Sequence, residues 1–252
     1  LHAPHAPAET QPVEDISNHL HASFFAQAKR HGERTALLDG TSGATVSYEV
    51  LAQQALRIAA LLQKNGVRPG DSVAVTLPRG VDQVAAVLGV LASGACYVPI
   101  NPRQPASRME YMHHKADVRF VLTTAGLKTG QKWPDTATLL DVAESATVDP
   151  LPHPEYAGSG ALAYIIFTSG STGMPKGVAI EHAAAWNTVQ AVNSQADVTG
   201  HDRVLAVSAL EFDLSVYDIF GVLGAGGQVV LVPDEAWRDA AVWHAIILRH
   251  CV

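Results

Sequence analysis

Residues 162–177 read Leu-Ala-Tyr-Ile-Ile-Phe-Thr-Ser-Gly-Ser-Thr-Gly-Met-Pro-Lys-Gly. The first six are apolar, rich in β-branched and aromatic side chains, and read as a buried strand. Thr168 to Gly177 then hold three glycines, four hydroxyl side chains, one proline and one lysine. Glycines let backbone N–H groups converge on an anion without interference from Cβ; hydroxyls and a lysine add donors and charge. The candidates for holding phosphate are Thr168, Ser169, Gly170, Ser171, Thr172, Gly173 and Lys176. A plain surface hairpin also uses Gly, Ser, Thr and Pro, but has little need of so many hydroxyls beside a lysine. The P-loop of nucleotide hydrolases needs G-x-x-x-x-G-K-[ST] opening a helix. Here Pro175 precedes Lys176, Gly177 follows it, and Val178-Ala-Ile180 reads as another strand, with a helix only from His182 to about Ser194. The pattern is strand–loop–strand.

Outward from this loop the chain echoes itself. Asp71 to Leu77 resembles Asp202 to Ser208, and each strand leads into an apolar helix containing Gly-Val-Leu, at 89–91 and 221–223. Each helix gives way to a glycine-rich turn and a strand ending in Val-Pro, at 98–99 and 232–233. Two strand–helix–strand units imply parallel pairing, and so an α/β protein of two stacked layers. A helix is expected from Leu20 through Ala28. Ser47 caps a second, whose Leu51, Ala55, Ile58 and Leu62 fall on one face and which ends at Gly66. A further helix is expected at about Arg108 to Lys115 and a strand at Phe120 to Thr123, whereas Val148 to Gly160, with three prolines, reads as a surface loop.

Composition narrows the function classes. Hydrophobic residues at 48% and charged residues at 16% suit a globular chain with a substantial core. A net charge of −7 without a basic run argues against a nucleic-acid partner. The most apolar stretch, Val84 to Ile100, is broken by glycine and serine, so no membrane span is expected. Cys96 and Cys251 make no disulfide framework and fit a reducing cytoplasm, and no secretory signal is visible. The twelve histidines form no metal-binding frame, so no metal ligand from the protein is expected.

Ala161 to Gly177 resembles the phosphate-binding signature of the adenylate-forming enzymes: acyl-CoA synthetases, luciferases and the adenylation domains of nonribosomal peptide synthetases. Val46 to Leu51, Leu91 to Pro102 and Phe212 to Ser215 resemble other signatures of adenylation domains, in the family's order. The resemblance implies the N-terminal core of that fold: two stacked αβ subdomains with largely parallel sheets, the C-terminal small domain absent. It places an interdomain linker at 1–19 and the N-terminal part of an adenylation domain at 20–252. Within that part, a first subdomain would span about 47–198 and a second would begin at 199–252. The implied reaction joins ATP, with Mg²⁺, to a carboxylate, giving an acyl-adenylate and pyrophosphate before transfer to a thiol. The implied partners are a phosphopantetheinyl carrier domain and a neighbouring condensation or cyclisation domain.

Asp213 sits where amino-acid-activating members place a carboxylate against the substrate ammonium, a group that needs a partner once desolvated. It could instead cap the helix expected to run through Leu223. Leu214 and Tyr217, the latter four residues on and so on the same helix face, are candidates for the pocket walls, with Phe212 as a gate. Together Asp213, Leu214 and Tyr217 resemble the first pocket positions of cysteine-activating domains in siderophore synthetases of the pyochelin and yersiniabactin type. Asn101 departs from the family's usual aspartate. The segments that hold adenine and ribose, and the catalytic lysine, are expected beyond Val252. No catalytic residue is therefore expected among these 252, which alone should not form acyl-adenylate. A fragment of a stand-alone acyl- or aryl-CoA ligase, or a non-catalytic scaffold of the same fold, are the alternatives.

Overall fold

The computed structural model describes residues 16–158, 160–169 and 174–252. Helix α1 (Ala22–Arg30) leads into the short strands β1 (Thr35–Asp39) and β2 (Thr45–Ser47). Then come α2 (Tyr48–Lys64), β3 (Ser72–Val75), α3 (Val81–Ala92), β4 (Cys96–Pro99) and α4 (Ala106–Lys115). They are followed by β5 (Phe120–Thr123), α5 (Ala125–Gly130), β6 (Thr138–Asp141), β7 (Leu162–Thr168), β8 (Lys176–Glu181) and α6 (His182–Gln195). The remainder is β9 (Arg203–Ala206), α7 (Leu214–Val216), a π-helical turn (Tyr217–Gly221), α8 (Val222–Ala225), β10 (Gln228–Leu231) and α9 (Ala240–His250).

The strands form a six-stranded sheet in the order β6-β5-β3-β4-β7-β8 and a four-stranded sheet in the order β2-β1-β10-β9. Pairing is parallel throughout except at β8 and β2, one edge of each sheet. The repeated units behave as their sequence implies. β3 pairs directly with β4, and β9 with β10, both parallel, each unit in its own sheet.

Strand alternation sorts the side chains into three apolar clusters and so into layers. Val73 and Val75 join Val229, Leu231, α2 and α3 in one large core that draws on both sheets. Ala74, between them, faces the opposite way with Val98 and Phe167 onto Met109 and Met112 of α4. Val230 likewise faces outward onto Ile246 of α9. The α3 run Val84–Ala92 is buried on every side, as a helix packed between layers must be. At Gly89 a Cβ would lie 2.7 Å from Ile58 Cγ2, so the lack of a side chain sets how closely α2 and α3 cross.

Ser47 does cap α2, its side chain accepting from the Val50 N–H, and Gly66 follows the helix in a left-handed conformation (φ +92°). Several expectations change. Strands β1 and β2 carry no alternation long enough to read; they pair with each other, and β1 also pairs with β10, distant in sequence. Residues 16–19, expected in the linker, include a 3-10 turn at Ile16–Asn18, and His19 is fully buried. The expected surface loop is tied down: the Leu151 N–H donates to Leu56 O, and the Glu155 N–H to Ala92 O. The helix expected from Asp213 through Leu223 is instead interrupted by the π turn.

Tyr48, wholly buried, fastens α2 to the second unit. Its hydroxyl lies 2.7 Å from Gly227 O and 3.1 Å from Leu223 O, so it donates across the turn that precedes β10. Tyr48→Phe leaves those carbonyls without this donor and should cost about 1–3 kcal/mol. A fall in the urea midpoint with an unchanged slope is the expected measurement.

Candidate functional site

Ligands of parallel α/β sheets bind beyond the carboxyl ends of the strands. Here the segments following β4, β7 and β9 meet across the seam between the two sheets and enclose a cavity of about 640 Å³. The six-stranded sheet supplies Asn101, Gln104, Arg108, Tyr164, Thr168 and Ser169 to its wall. The other side supplies Glu211, Phe212, Asp213, Trp237 and Arg238.

Four of the candidate residues, Thr168, Ser169, Phe212 and Asp213, thus share one cavity although more than forty positions separate the two pairs. Lys176 stands opposite Thr168 in the antiparallel β7–β8 ladder, outside the cavity lining. Gly170, Ser171, Thr172 and Gly173 lie outside the described residues. The antiparallel return of β8 gives the strand–loop–strand connection read from sequence, with α6 starting only at His182.

Asp213 stands at the N-cap position of α7, yet its backbone is helical (φ −62°, ψ −26°) and its side chain makes no capping hydrogen bond. A capping side chain needs an extended backbone at that residue, so the capping alternative loses its geometry. Leu214 and Tyr217 do not join Asp213 in the cavity. Leu214 is 67% exposed, so it is not a core residue either. The Tyr217 ring lies over Gly221, where a Cβ would come within 2.6 Å of it. That glycine leaves room for the ring to lie along the π turn, outside the cavity lining.

Sequence reading passed over the charged groups around the seam. Arg79, after β3, donates to Ala206 O at the end of β9, so one side chain links the two sheets. Burial lowers its pKa, while the carboxylates of Asp234, Asp218 and Glu211 oppose that fall. Burial raises Glu211 above the usual carboxylate range, against a hydrogen bond from Asn101 and the charge of Arg79. Here the asparagine at 101 finds its reason. An aspartate there would set a second carboxylate against Glu211, whereas the amide donates to it. Burial also raises Tyr164, and the carboxylate of Asp213 adds to the shift. No sequence signal marked Glu211, since a single acidic residue between apolar ones carries no periodicity.

Away from the cavity, His19, His21 and His182 cluster with ring centroids 5.0–6.0 Å apart, and His19 and His21 also pack on Tyr156, at 5.2 and 5.0 Å. The Leu20 N–H donates to His182 Nδ1 at 3.3 Å, tying the N-terminal segment to α6. Among the described residues no group of three or more His, Cys, Asp or Glu side chains is placed to hold a metal ion. No helix among them is long and apolar enough to cross a membrane.

The chain is similar to proteins of known kind. Pyochelin synthetase PchE of Pseudomonas aeruginosa is 47% identical over 242 residues, 96% of this chain and 16% of that protein. Phenyloxazoline synthase MbtB of a Mycobacterium species is 41% identical over 236 residues, 92% of this chain and 20% of that one. The present chain therefore spans only about a fifth or less of either relative. The crystal structure of the nonribosomal peptide synthetase FmoA3 superposes with a TM-score of 0.85 at 38% identity, covering 93% of this chain and 25% of that one. Its AMPPNP-bound form gives 0.84 over 94% of this chain and 25% of that one. Residues 24–252 match the family described as AMP-binding enzyme. With that match running over nearly the whole sequence, the chain belongs to the AMP-binding enzymes.

Proposed function

We propose that this chain is the N-terminal part of an amino-acid-activating adenylation domain of a nonribosomal peptide synthetase. The reaction joins ATP and an amino acid to give aminoacyl-AMP and pyrophosphate, after which the aminoacyl group passes to the thiol of a phosphopantetheinyl carrier domain. The observation that carries the reading is Asp213, freed from capping and set on the wall of the cavity that also holds Thr168 and Ser169. An aryl- or fatty-acid ligase has no ammonium to meet that carboxylate, and a scaffold has no use for the loop.

The walls divide the work. Thr168 and Ser169 present hydroxyls to the phosphates, with Lys176 adding charge, while Asp213 holds the ammonium so that the carboxylate can approach the α-phosphorus in line. Phe212, 63% exposed, would close over the bound amino acid. Mg²⁺ would neutralise the phosphate oxygens. The oxygen donors of Thr168, Ser169 and Glu211 suit a hard cation that takes few protein ligands. Cysteine is the proposed substrate on sequence resemblance alone: Asp213, Leu214 and Tyr217 resemble the corresponding positions of cysteine-activating domains, although only Asp213 of the three lines the cavity. A condensation or cyclisation neighbour and a cytoplasmic setting belong to the same reading, as does a second subdomain beginning at about 199.

Amino-acid-dependent exchange of pyrophosphate into ATP tests it, run on the complete polypeptide with cysteine, serine, alanine, threonine and salicylate. Cysteine should lead, with serine or alanine behind by the roughly 10–200-fold that small volume differences allow. Salicylate in the lead would overturn the role of Asp213. The isolated 252 residues should show no exchange.

A further inference from the structure

The two walls of the cavity are electrically different. The wall from the second sheet carries the carboxylates of Glu211 and Asp213, with Arg238 stacked 4.2 Å over the Trp237 ring. On the wall from the six-stranded sheet the charged side chain is Arg108. It sits in the first turn of α4, next to Met109, which packs with Phe167 in the cluster on that sheet's outer face. Phe167 in turn precedes Thr168. Arg108, Thr168 and Ser169 are thereby held together beyond the ends of the neighbouring parallel strands β4 and β7.

Among the described residues the Arg108 side chain is also unpaired. Its Nε is buried and has no hydrogen-bond partner among the described residues. Other arginines have theirs: Arg103 pairs with Asp234, and Arg119 with Asp71. The part of the guanidinium that lines the cavity likewise has no acceptor among the described residues, so an oxyanion entering there would find free donors. A guanidinium presents donors in a planar fork that fits two oxygens of a phosphate, which an ammonium cannot do.

We propose that Arg108 is a nucleotide-binding residue: its guanidinium takes the phosphate tail of ATP from the side opposite Asp213, completing with Thr168 and Ser169 an anion site on the wall of the six-stranded sheet. The inference rests on the proposed adenylation reaction and adds a residue to it. Its cationic wall takes the nucleotide and its anionic wall the ammonium, so the two substrates enter the one cavity with opposite polarity. A carboxylate of the amino acid is the other oxyanion that could reach Arg108, and kinetics separate the two.

In the complete polypeptide, Arg108→Ala and Arg108→Lys are compared with the unsubstituted protein by pyrophosphate exchange, titrating ATP and amino acid separately. Arg108→Ala should raise the KM for ATP about tenfold or more, with the KM for the amino acid within twofold. Arg108→Lys should recover only part of the loss, since it restores charge without the fork. ATP binding by calorimetry without amino acid should weaken by a similar factor, in protein whose thermal unfolding is unchanged. A shift in the amino-acid KM alone, or an unchanged ATP affinity, would overturn the assignment. Absence of any exchange in the unsubstituted protein would instead remove the adenylation reading, and the calorimetric arm would still decide whether Arg108 holds the nucleotide.

Discussion

Replacing Asp213 by Ala in the complete polypeptide should lower kcat/KM for the amino acid by on the order of 100-fold while leaving the KM for ATP nearly unchanged. The size follows from removing one partner of a charged hydrogen bond, about 2–5 kcal/mol when the other charge stays desolvated. The carboxylate makes no capping bond that the substitution would break, so the fold has little reason to suffer. Asp213→Asn should behave much like Ala, because it keeps the shape but not the charge. The decisive comparison is a substrate without the ammonium: with 3-mercaptopropionate in place of cysteine, substituted and unsubstituted enzymes should differ little. An equal loss on both substrates would mean that Asp213 orders the loop rather than binding the amine.

Mild acid should loosen the fold at two places remote from the cavity. Burial, with the charge of His19 adding to it, pushes His182 down to about 4; burial alone takes His113 to the same value. His21 moves the same way, through burial first and the charge of His182 next. An unfolded histidine keeps a pKa near 6.5, so between about pH 6.5 and 4 the unfolded chain binds more protons than the folded one. Stability is therefore full above pH 6.5, falls as the pH drops towards 4, and changes no further below it on this account. Each of His182 and His113 contributes up to about 3 kcal/mol to that loss. Among the described residues the cluster meets His19, Tyr156, Phe25, the Leu20 N–H and main-chain carbonyls at Glu155 and Ala157, and no carboxylate side chain that would stabilise an imidazolium. Hydrogen-exchange protection in α1 and α6, corrected for intrinsic rate, should fall between pH 7 and 5. His182→Asn should flatten that dependence there, and His113→Leu should do so in α4. Protection that does not respond to pH would place the histidines in solvent.

Local chemistry was legible from sequence wherever short-range pattern decides structure. Ser47 announces a helix because its hydroxyl can reach the Val50 N–H, and the face of Leu51, Ala55, Ile58 and Leu62 is buried along its length. The loop between β7 and β8 announces itself through glycines and hydroxyls that no core would select. Non-local pairing was not legible. Thr35–Asp39 is five residues long, and what places it inside a sheet rather than in a lone hairpin with β2 is Val229 and its neighbours, far along the chain. The candidate site was legible in the same uneven way. Thr168, Ser169 and Asp213 stand in motifs, whereas Glu211, Arg108 and Trp237 belong to it only because two sheets meet there. Leu214 and Tyr217 lie outside the cavity lining, and Tyr217 opens a segment that widens into a π turn over Gly221, so the simple helical face expected there does not hold beyond Val216.

The pairing of β1 with β10 also governs the order in which this chain can acquire its structure. Leu37 meets Val229 after a loop of roughly 190 residues has closed, whereas β3, β4 and β5 find one another within about 50. During synthesis the six-stranded sheet can assemble as its strands emerge, while β1 and β2 wait as an unpartnered hairpin. The edge of β1 that meets β10 stays unpaired through that interval, and Leu38, which packs with Val230 and Ile246, stays uncovered. The window between translation of β2 and of β10 is when a holding chaperone has most to protect, and a slowly translated stretch just before Gln228 would lengthen it.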